Sequence, residues 1–143
     1  MAAQYHTEGR QFDQEVIFTG QQTVPENFYV GLCTETSLAE NATLASLTEL
    51  TDTDYARYAL PSSTSGWTSA GTGTNDRKVT SAGIAFSVIT SGVTWTKANM
   101  WFLATTIDDT GKLLASGPLN SGSGWTLTEP QSLTLNIEIT YPG

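Results

Sequence analysis

The sequence has one cysteine, one histidine and six basic residues among its 143 positions. Because Cys33 is the only cysteine, no disulfide can form within the chain, and its place in an apolar run indicates a buried thiol. His6 lies in a polar stretch that we expect to be mobile, which disfavours any site built on a histidine base. The sequence therefore predicts a protein that is not an enzyme and that uses no cofactor.

The shortage of basic residues excludes two classes of partner. Six Lys and Arg residues stand against 14 Asp and Glu residues, which gives a formal net charge of −8. Nucleic acids and anionic membranes attract clustered basic side chains, whereas here these residues are spread singly, so we expect neither partner. The sequence also lacks an apolar run of about 18 residues. Its first residues have neither a basic start nor an apolar run, so nothing directs the chain to secretion.

Charged residues make up only 14% of the chain, and threonine, serine, glycine and asparagine fill the surface instead. This composition favours many short strands and turns over helices. A chain of this length fits one domain, which can bury a core without disulfides or metal ions.

Residues 100–119 predict a β-hairpin at the centre of a sheet, because both strands are more apolar than one buried face requires. The loop, residues 108–111, has the pattern of a type I turn closed by a left-handed glycine, and the turn explains its two aspartates better than an acid–base pair does. We expect one face of the first strand to be covered by a second sheet, and the other by a neighbouring element or another subunit. The two faces carry Met100, Phe102 and Ala104, and Trp101, Leu103 and Ile107.

Other segments also alternate like strands, and they predict an all-β fold. Because no helices separate them, an antiparallel β-sandwich or jelly roll of about eight strands is expected. Residues 62–76 are predicted to form a surface loop, and residues 36–53 fit either one or two helical turns or an irregular loop. The predicted strands are residues 28–34, 54–60, 82–88 and 133–141.

Residues 1–27 are predicted to form an N-terminal arm and linker, followed by a β-sandwich domain over residues 28–143. Residues 7–18 fit a short helix or an extended segment nearly equally well. The arm has few apolar residues to add to a core, so we expect it to lie along a neighbouring subunit instead. The side chains that would make this contact are Tyr5, Phe12, Val16, Ile17 and Phe18.

Three acidic residues, Glu49, Asp52 and Asp54, have a spacing that could place carboxylate oxygens on one Ca²⁺ ion. The glycine of an EF-hand loop is missing, however, so carboxylates of a solvated turn explain them better and no metal site is predicted. Arg57 follows closely, and we expect it to pair with one of these three carboxylates.

Two of the four tryptophans, Trp67 and Trp125, lie in stretches rich in serine, glycine and threonine. If both are exposed together, their rings offer a platform for sugar, and the chain would be a carbohydrate-binding module. If they are buried against a neighbouring protein, they stabilise an assembly instead. We favour the second interpretation.

From residue 28 to residue 141, the order of these segments resembles a family of small bacteriophage structural proteins, described as tail-fibre-like or head-decoration proteins. None of the shared segments is a catalytic motif. The resemblance rests on Phe28-Tyr-Val-Gly-Leu, Leu47-Thr-Glu49-Leu, Tyr55-Ala-Arg57, Ile84-Ala-Phe86, Gly111-Lys-Leu-Leu-Ala115, Gly117-Pro-Leu119 and the strand over residues 133–139.

The resemblance implies a component of the virion, assembled in the host cytoplasm. A capsid decoration or cement protein that binds the major capsid protein is the expected role, and copies of the chain are expected to associate with one another. A tail, neck or fibre component of the same particle is the alternative that the resemblance leaves open.

Overall fold

The computed structural model describes residues 3–71 and 77–141, and in it the chain is mostly β-structure. The described residues form ten strands in three antiparallel sheets and one short α-helix, α1 (Thr7–Gln14). None of the helices in this part of the chain is long and apolar enough to cross a membrane. The strands are β1 (Gln4–Tyr5), β2 (Asn27–Cys33), β3 (Tyr58–Pro61), β4 (Trp67–Ala70), β5 (Arg77–Ser81), β6 (Ile84–Ser87), β7 (Met100–Ala104), β8 (Leu113–Pro118), β9 (Ser132–Leu135) and β10 (Glu138–Tyr141).

The largest sheet has the strand order β1–β8–β7–β2–β3, so the predicted hairpin of β7 and β8 does lie at its centre. β7 pairs with β2 on one side and with β8 on the other, and all of its residues are buried. Its two faces belong to two clusters of buried side chains. The larger cluster takes Trp101 and Leu103, and the smaller cluster takes Met100, Phe102 and Ala104.

Both faces of β7 are covered by this chain itself. The larger cluster includes residues from all three sheets, such as Val30 in β2, Ile84 in β6 and Ile139 in β10. The smaller cluster is closed by the segment between β2 and β3, where Leu44 is buried at the start of a 3₁₀ helix, Leu44–Ser46. This segment, irregular apart from that turn, is the neighbouring element that the sequence predicts as the second cover. Cys33 belongs to the smaller cluster, and burial raises the pKa of its thiol.

The two smaller sheets have the orders β10–β5–β4 and β6–β9. The prediction of one strand over residues 133–141 is wrong, because β9 pairs with β6 whereas β10 pairs with β5. At the break between them, the Ile137 N–H donates to Ser81 Oγ at 2.8 Å. The prediction of a loop over residues 62–76 is also wrong where β4 forms, and its residues 72–76 lie outside the described part of the chain. β4 is mostly exposed, so its polar side chains face solvent while its backbone pairs with β5.

The hairpin loop differs from the predicted turn. Gly111 does not have a positive φ, and the irregularity in the β7–β8 pairing lies between Leu103 and Ala104 instead. Glycine is needed at position 111 for space, because a Cβ atom there would lie 2.4 Å from Thr105 Oγ1. Ile107, predicted to face inward with the strand, is exposed because the strand ends before it.

The segment predicted as an arm packs on the five-stranded sheet. β1 pairs with β8, and α1 follows, so that both His6 and Phe12 are buried. Gly9 permits this close approach, since a Cβ atom there would lie 2.7 Å from the Leu114 carbonyl oxygen. The expectations that His6 is mobile and that this segment adds little to the core are therefore wrong for these residues. The helical alternative is confirmed, with His6 at the N-cap position.

Candidate functional site

A cavity of about 430 Å³ opens between α1 and residues of the five-stranded and three-stranded sheets. Its wall is mainly aromatic and aliphatic. Because one helix and strands from two sheets each supply only one or two side chains, the cavity exists only in the folded chain. The aromatic residues are Tyr5, Phe12, Phe28 and Trp67, and the aliphatic residues are Val79, Leu103, Leu114 and Ile139.

The polar residues of the cavity carry a single charge. Asp13 is the only charged residue among the described residues that line it, and its Oδ2 accepts a hydrogen bond from the Tyr5 hydroxyl at 2.9 Å. The remaining polar groups are the hydroxyls of serine and threonine. These belong to Ser62, Ser63, Thr64 and Ser69.

The rings of Phe12, Phe28 and Trp67 add carbon surface to the wall of the cavity. Phe12 and Phe28 meet edge to face, with centroids 6.3 Å apart and an interplanar angle of 81°. Trp67 Nε1 is inaccessible to solvent and has no hydrogen-bond partner among the described residues. Because that nitrogen has no exposed surface, the part of the indole that lines the cavity is carbon.

The cavity brings together three residues that the sequence singles out for contact with a partner, Tyr5, Phe12 and Trp67. Trp125 does not line it. The backbone of Trp125 forms an isolated bridge with Ala98, and its side chain is exposed. The cavity therefore does not combine the two tryptophans of the sugar platform considered above.

Asp13 and Phe28 also line the cavity, although no sequence pattern singles them out for a site. The available signal is the register of β2. Phe28, Val30 and Leu32 are two residues apart along the strand, so they share a face, and all three pack in the larger cluster. Asp13 has no such signal, because its place depends on how α1 docks against β8.

Past α1, the chain presents apolar side chains to solvent. The helix continues as a π-helical turn, Glu15–Thr19, and Gly20 ends it with a left-handed φ of 65°. Val16 is half-buried against the larger cluster, whereas Ile17 is 67% exposed and Phe18 is 82% exposed. We call Ile17 and Phe18 the apolar tip. Of the five residues predicted to contact a neighbouring subunit, these two are the exposed ones.

Two of the three acidic residues considered as a Ca²⁺ site, Asp52 and Asp54, bind backbone N–H groups of the segment between β6 and β7. Asp54 Oδ2 accepts from the N–H groups of Thr90 and Ile89 at 2.8 and 3.0 Å, and these bonds lower the pKa of Asp54. Asp52 Oδ2 accepts from the Thr96 N–H at 3.1 Å. Across residues 3–71 and 77–141, there is no group of three or more His, Cys, Asp or Glu residues that could hold a metal ion.

Arg57 is only 3% exposed and connects the hairpin loop to the segment before β3. Its Nε donates to Glu49 Oε2 at 2.6 Å, and its Nη2 donates to Asp109 Oδ1 at 2.7 Å. Its Nη1 also donates to the carbonyl oxygens of Thr106 and Asp108, at 3.0 and 2.6 Å. Glu49 is thus the partner among the three predicted carboxylates. Asp109 faces Arg57, so it forms no acid–base pair with its neighbour.

His6 and Ser116 form a buried pair that the sequence does not predict. His6 Nε2 lies 2.7 Å from Ser116 Oγ, and His6 Nδ1 lies 3.1 Å from the Glu40 carbonyl oxygen. Because a carbonyl only accepts, Nδ1 carries the proton of the neutral ring and Nε2 accepts from the serine hydroxyl. The pair resembles the serine and histidine of a hydrolase, but both side chains are fully buried. In this conformation it links the first strand to β8 and meets no substrate.

We expect this pair to make stability depend on pH. Burial lowers the pKa of His6 from 6.5, against smaller opposing effects of the Glu40 and Ala39 carbonyls and the Glu8 and Glu40 carboxylates. As the pH falls below 6.5, the unfolded chain therefore binds a proton at His6 more readily than the folded chain does. Neutral His6 makes its full contribution to the free energy of unfolding above pH 6.5. This contribution is lost as the pH falls from 6.5 towards the lowered pKa of His6 in the folded chain. Urea unfolding between about pH 7.5 and 5 should show this loss.

His6→Leu is the matched variant, because leucine fills the buried position with a side chain that does not titrate. It should lower the free energy of unfolding at neutral pH by about 2 kcal/mol, since Ser116 and the Glu40 carbonyl lose their partner. It should also flatten the pH dependence below pH 6.5. An unchanged pH dependence in the variant would assign the effect to another group.

A scan against protein-family models and a search of curated proteins both give no match for this chain. Its function is therefore inferred from its own residues. What they define is a mostly antiparallel β-protein with an aromatic cavity and an exposed apolar tip.

Proposed function

We propose that this chain is a non-enzymatic structural protein of a bacteriophage particle, a capsid decoration or cement protein that binds the major capsid protein. The observation that carries the proposal is the apolar tip, two consecutive apolar residues that a helical turn presents to solvent. Exposed apolar side chains that lie next to one another, rather than singly, are typical of surfaces that bind another protein. The resemblance of residues 28–141 to phage structural proteins supplies the kind of partner.

The apolar tip is held in place from both sides. Before it, Phe12 is buried in the larger cluster and α1 packs closely on β8. After it, the chain turns back at Gly20, and the Gln22 N–H donates to the Glu15 carbonyl oxygen at 3.3 Å. A partner that binds Ile17 and Phe18 would not have to order this segment first, which reduces the entropic cost of association.

The proposed architecture is a β-sandwich or jelly roll, with the five-stranded sheet packed on the two smaller sheets. The larger cluster supports it, because residues of all three sheets meet there. A fold of this kind suits a particle protein, since side chains also bind two of its described connections. Asp52 and Asp54 bind the backbone of the segment between β6 and β7, and Arg57 binds the hairpin loop.

A non-enzymatic role is supported by the positions of the reactive side chains, which are buried or hydrogen-bonded within the fold. His6 and Ser116 bind each other in the interior, and the Cys33 thiol is buried. Asp108 accepts from the Thr110 hydroxyl and N–H, which lowers its pKa and accounts for it as a turn residue. Each of these groups already has a structural role.

The location on the particle can be tested by electron microscopy. The gene for this chain is deleted from the phage that carries it. Host cells that produce the labelled chain from a plasmid are then infected with the deleted phage. We expect label at regular positions on the capsid shell of purified particles. Label only on the tail or neck would overturn the capsid location in favour of the tail, neck or fibre alternative. Absence of label from particles, with folded protein in the lysate, would contradict the proposal altogether.

The same assay tests the apolar tip. Replacing Ile17 and Phe18 by serine should lower occupancy on particles at least about tenfold, since each buried apolar side chain contributes well over 1 kcal/mol to association. Ile89→Ser is the matched control, because Ile89 is 74% exposed and lies in a different segment, after β6. Equal occupancy of the double variant and the control would show that the tip is not the contact.

A further inference from the structure

The charge of the cavity restricts what it can hold. Among the described residues that line it, Asp13 is the only charged one, and there is no Lys or Arg to neutralise an anion. The chain as a whole has a net charge of −8, which also repels anions. An anionic ligand is therefore disfavoured, and a cation is favoured.

The aromatic wall favours the same sign of charge. Tyr5, Phe12, Phe28 and Trp67 line the cavity, and a cation that reaches the π face of such a ring is attracted to its partial negative charge. The indole N–H of Trp67, which would repel a cation, has no exposed surface. Aromatic rings beside a carboxylate are the groups that recognise ammonium ions in proteins.

The size of the cavity points to an organic ligand. Its volume of about 430 Å³ is within the range of small-molecule sites and far exceeds what a bare metal ion occupies. Its aliphatic residues, such as Val79, Leu103 and Ile139, provide apolar surface that a small inorganic cation would leave unused.

We infer that the cavity binds an organic cation, an ammonium or guanidinium group carried on an apolar body. The charged head lies beside Asp13 and the aromatic rings, and the apolar body lies against the aliphatic residues. This inference does not depend on the proposed role in a phage particle. A free small molecule and the Lys or Arg side chain of a partner share this chemistry.

The test compares choline with 3,3-dimethylbutan-1-ol, which has nearly the same shape and no charge. Both are titrated into the full chain, and binding is followed by NMR through the indole N–H signals of the four tryptophans. Trp67→Phe identifies the signal of Trp67. Choline should shift that signal and leave Trp125 unchanged, with a dissociation constant roughly tenfold below that of the alcohol. Equal binding of the two probes, or no saturable shift with choline, would overturn the inference.

Asp13→Asn is the matched variant, because asparagine keeps an acceptor for the Tyr5 hydroxyl and removes the charge. It should lose most of the preference for choline while its thermal midpoint stays close to that of the parent. Glu26→Gln removes one negative charge outside this cavity, so it should keep the preference. If both variants lose it equally, the preference reflects net charge rather than the cavity, and the site is refuted.

Two further probes distinguish the sources of the cation. Butylamine represents a free amine, and N-acetyl-lysine methylamide carries the same head on a piece of protein backbone. Tighter binding of the lysine derivative would identify a partner side chain, and tighter binding of butylamine would identify a small molecule. Both results support the cationic site, whereas failure of both amines to compete with choline would overturn it.

Discussion

Ile137→Asp is expected to lower the free energy of unfolding by more than about 4 kcal/mol, enough to unfold much of the protein. Ile137 is fully buried in the larger cluster, at the point where the chain passes from β9 to β10. A carboxylate there would lose its hydration without gaining a cation, which is among the costliest changes a core can undergo. Thermal and urea unfolding, followed by circular dichroism, would measure the loss.

The matched control is the same substitution at an exposed isoleucine. Ile89 has most of its surface in solvent, so Ile89→Asp should cost no more than about 1 kcal/mol, including repulsion from the Asp54 carboxylate that binds the N–H of residue 89. Ile137→Val adds a conservative change at the buried site and should cost about 1 kcal/mol. Similar losses for the two aspartate variants would mean that the passage between β9 and β10 is not a buried part of the fold.

Arg57→Leu should have the second largest effect, a loss of about 3 kcal/mol or more. The guanidinium is almost fully buried, it binds Glu49 and Asp109, and it lies 5.0 Å from the centre of the Phe102 ring. Leucine would leave Glu49, which is mostly buried, without its cation. It would also leave two carbonyl oxygens of the hairpin loop without their donor.

Arg10→Leu removes the other arginine ion pair in the described chain and serves as the control. Arg10 and Glu40 are 57% and 56% exposed, so their pairing should contribute less than about 1 kcal/mol. Arg57→Lys should recover only part of the loss, because an ammonium cannot reproduce the planar fork that binds several acceptors at once. If the Arg10 and Arg57 variants unfold at the same urea concentration, burial does not determine the strength of these pairs.

The central hairpin was predictable because its sequence pattern is unusual. Most strands alternate between apolar and polar residues, whereas residues 100–104 are apolar throughout, and only a strand covered on both faces accommodates that. The same pattern predicted a buried Cys33. It did not specify the cover of the smaller cluster, because Leu44 lies in a single 3₁₀ turn, and the sequence around it fits helical turns and an irregular loop equally well.

The division of the last strand could not be read from alternation. Residues 133–141 keep a period of two whether they pair with one sheet or pass between two, since the same residues face the core in either case. The strand β4 was missed for a different reason. Its serine and threonine residues suit a loop as well as an exposed strand, and pairing with β5 decides between them.

The cavity was the least predictable part of the protein. Tyr5, Phe12 and Trp67 were singled out as aromatic residues in polar surroundings, but their meeting depends on how α1 and two sheets come together. Asp13 gave no sequence signal at all. His6 was misjudged because both of its partners are distant in sequence, and Ser116 is 110 positions away.

The sequence separation between the first strand and β8 affects the order in which the protein can fold. Residues 4–14 are synthesised before β8, the strand with which β1 pairs and on which α1 packs. Contacts between distant parts of a chain form slowly, because a long loop must close before any of them is gained. Until β8 is in place, β1 has no strand to pair with and α1 lacks the strand on which it packs. Docking of β1 and α1 is therefore expected to be a late and slow step of folding.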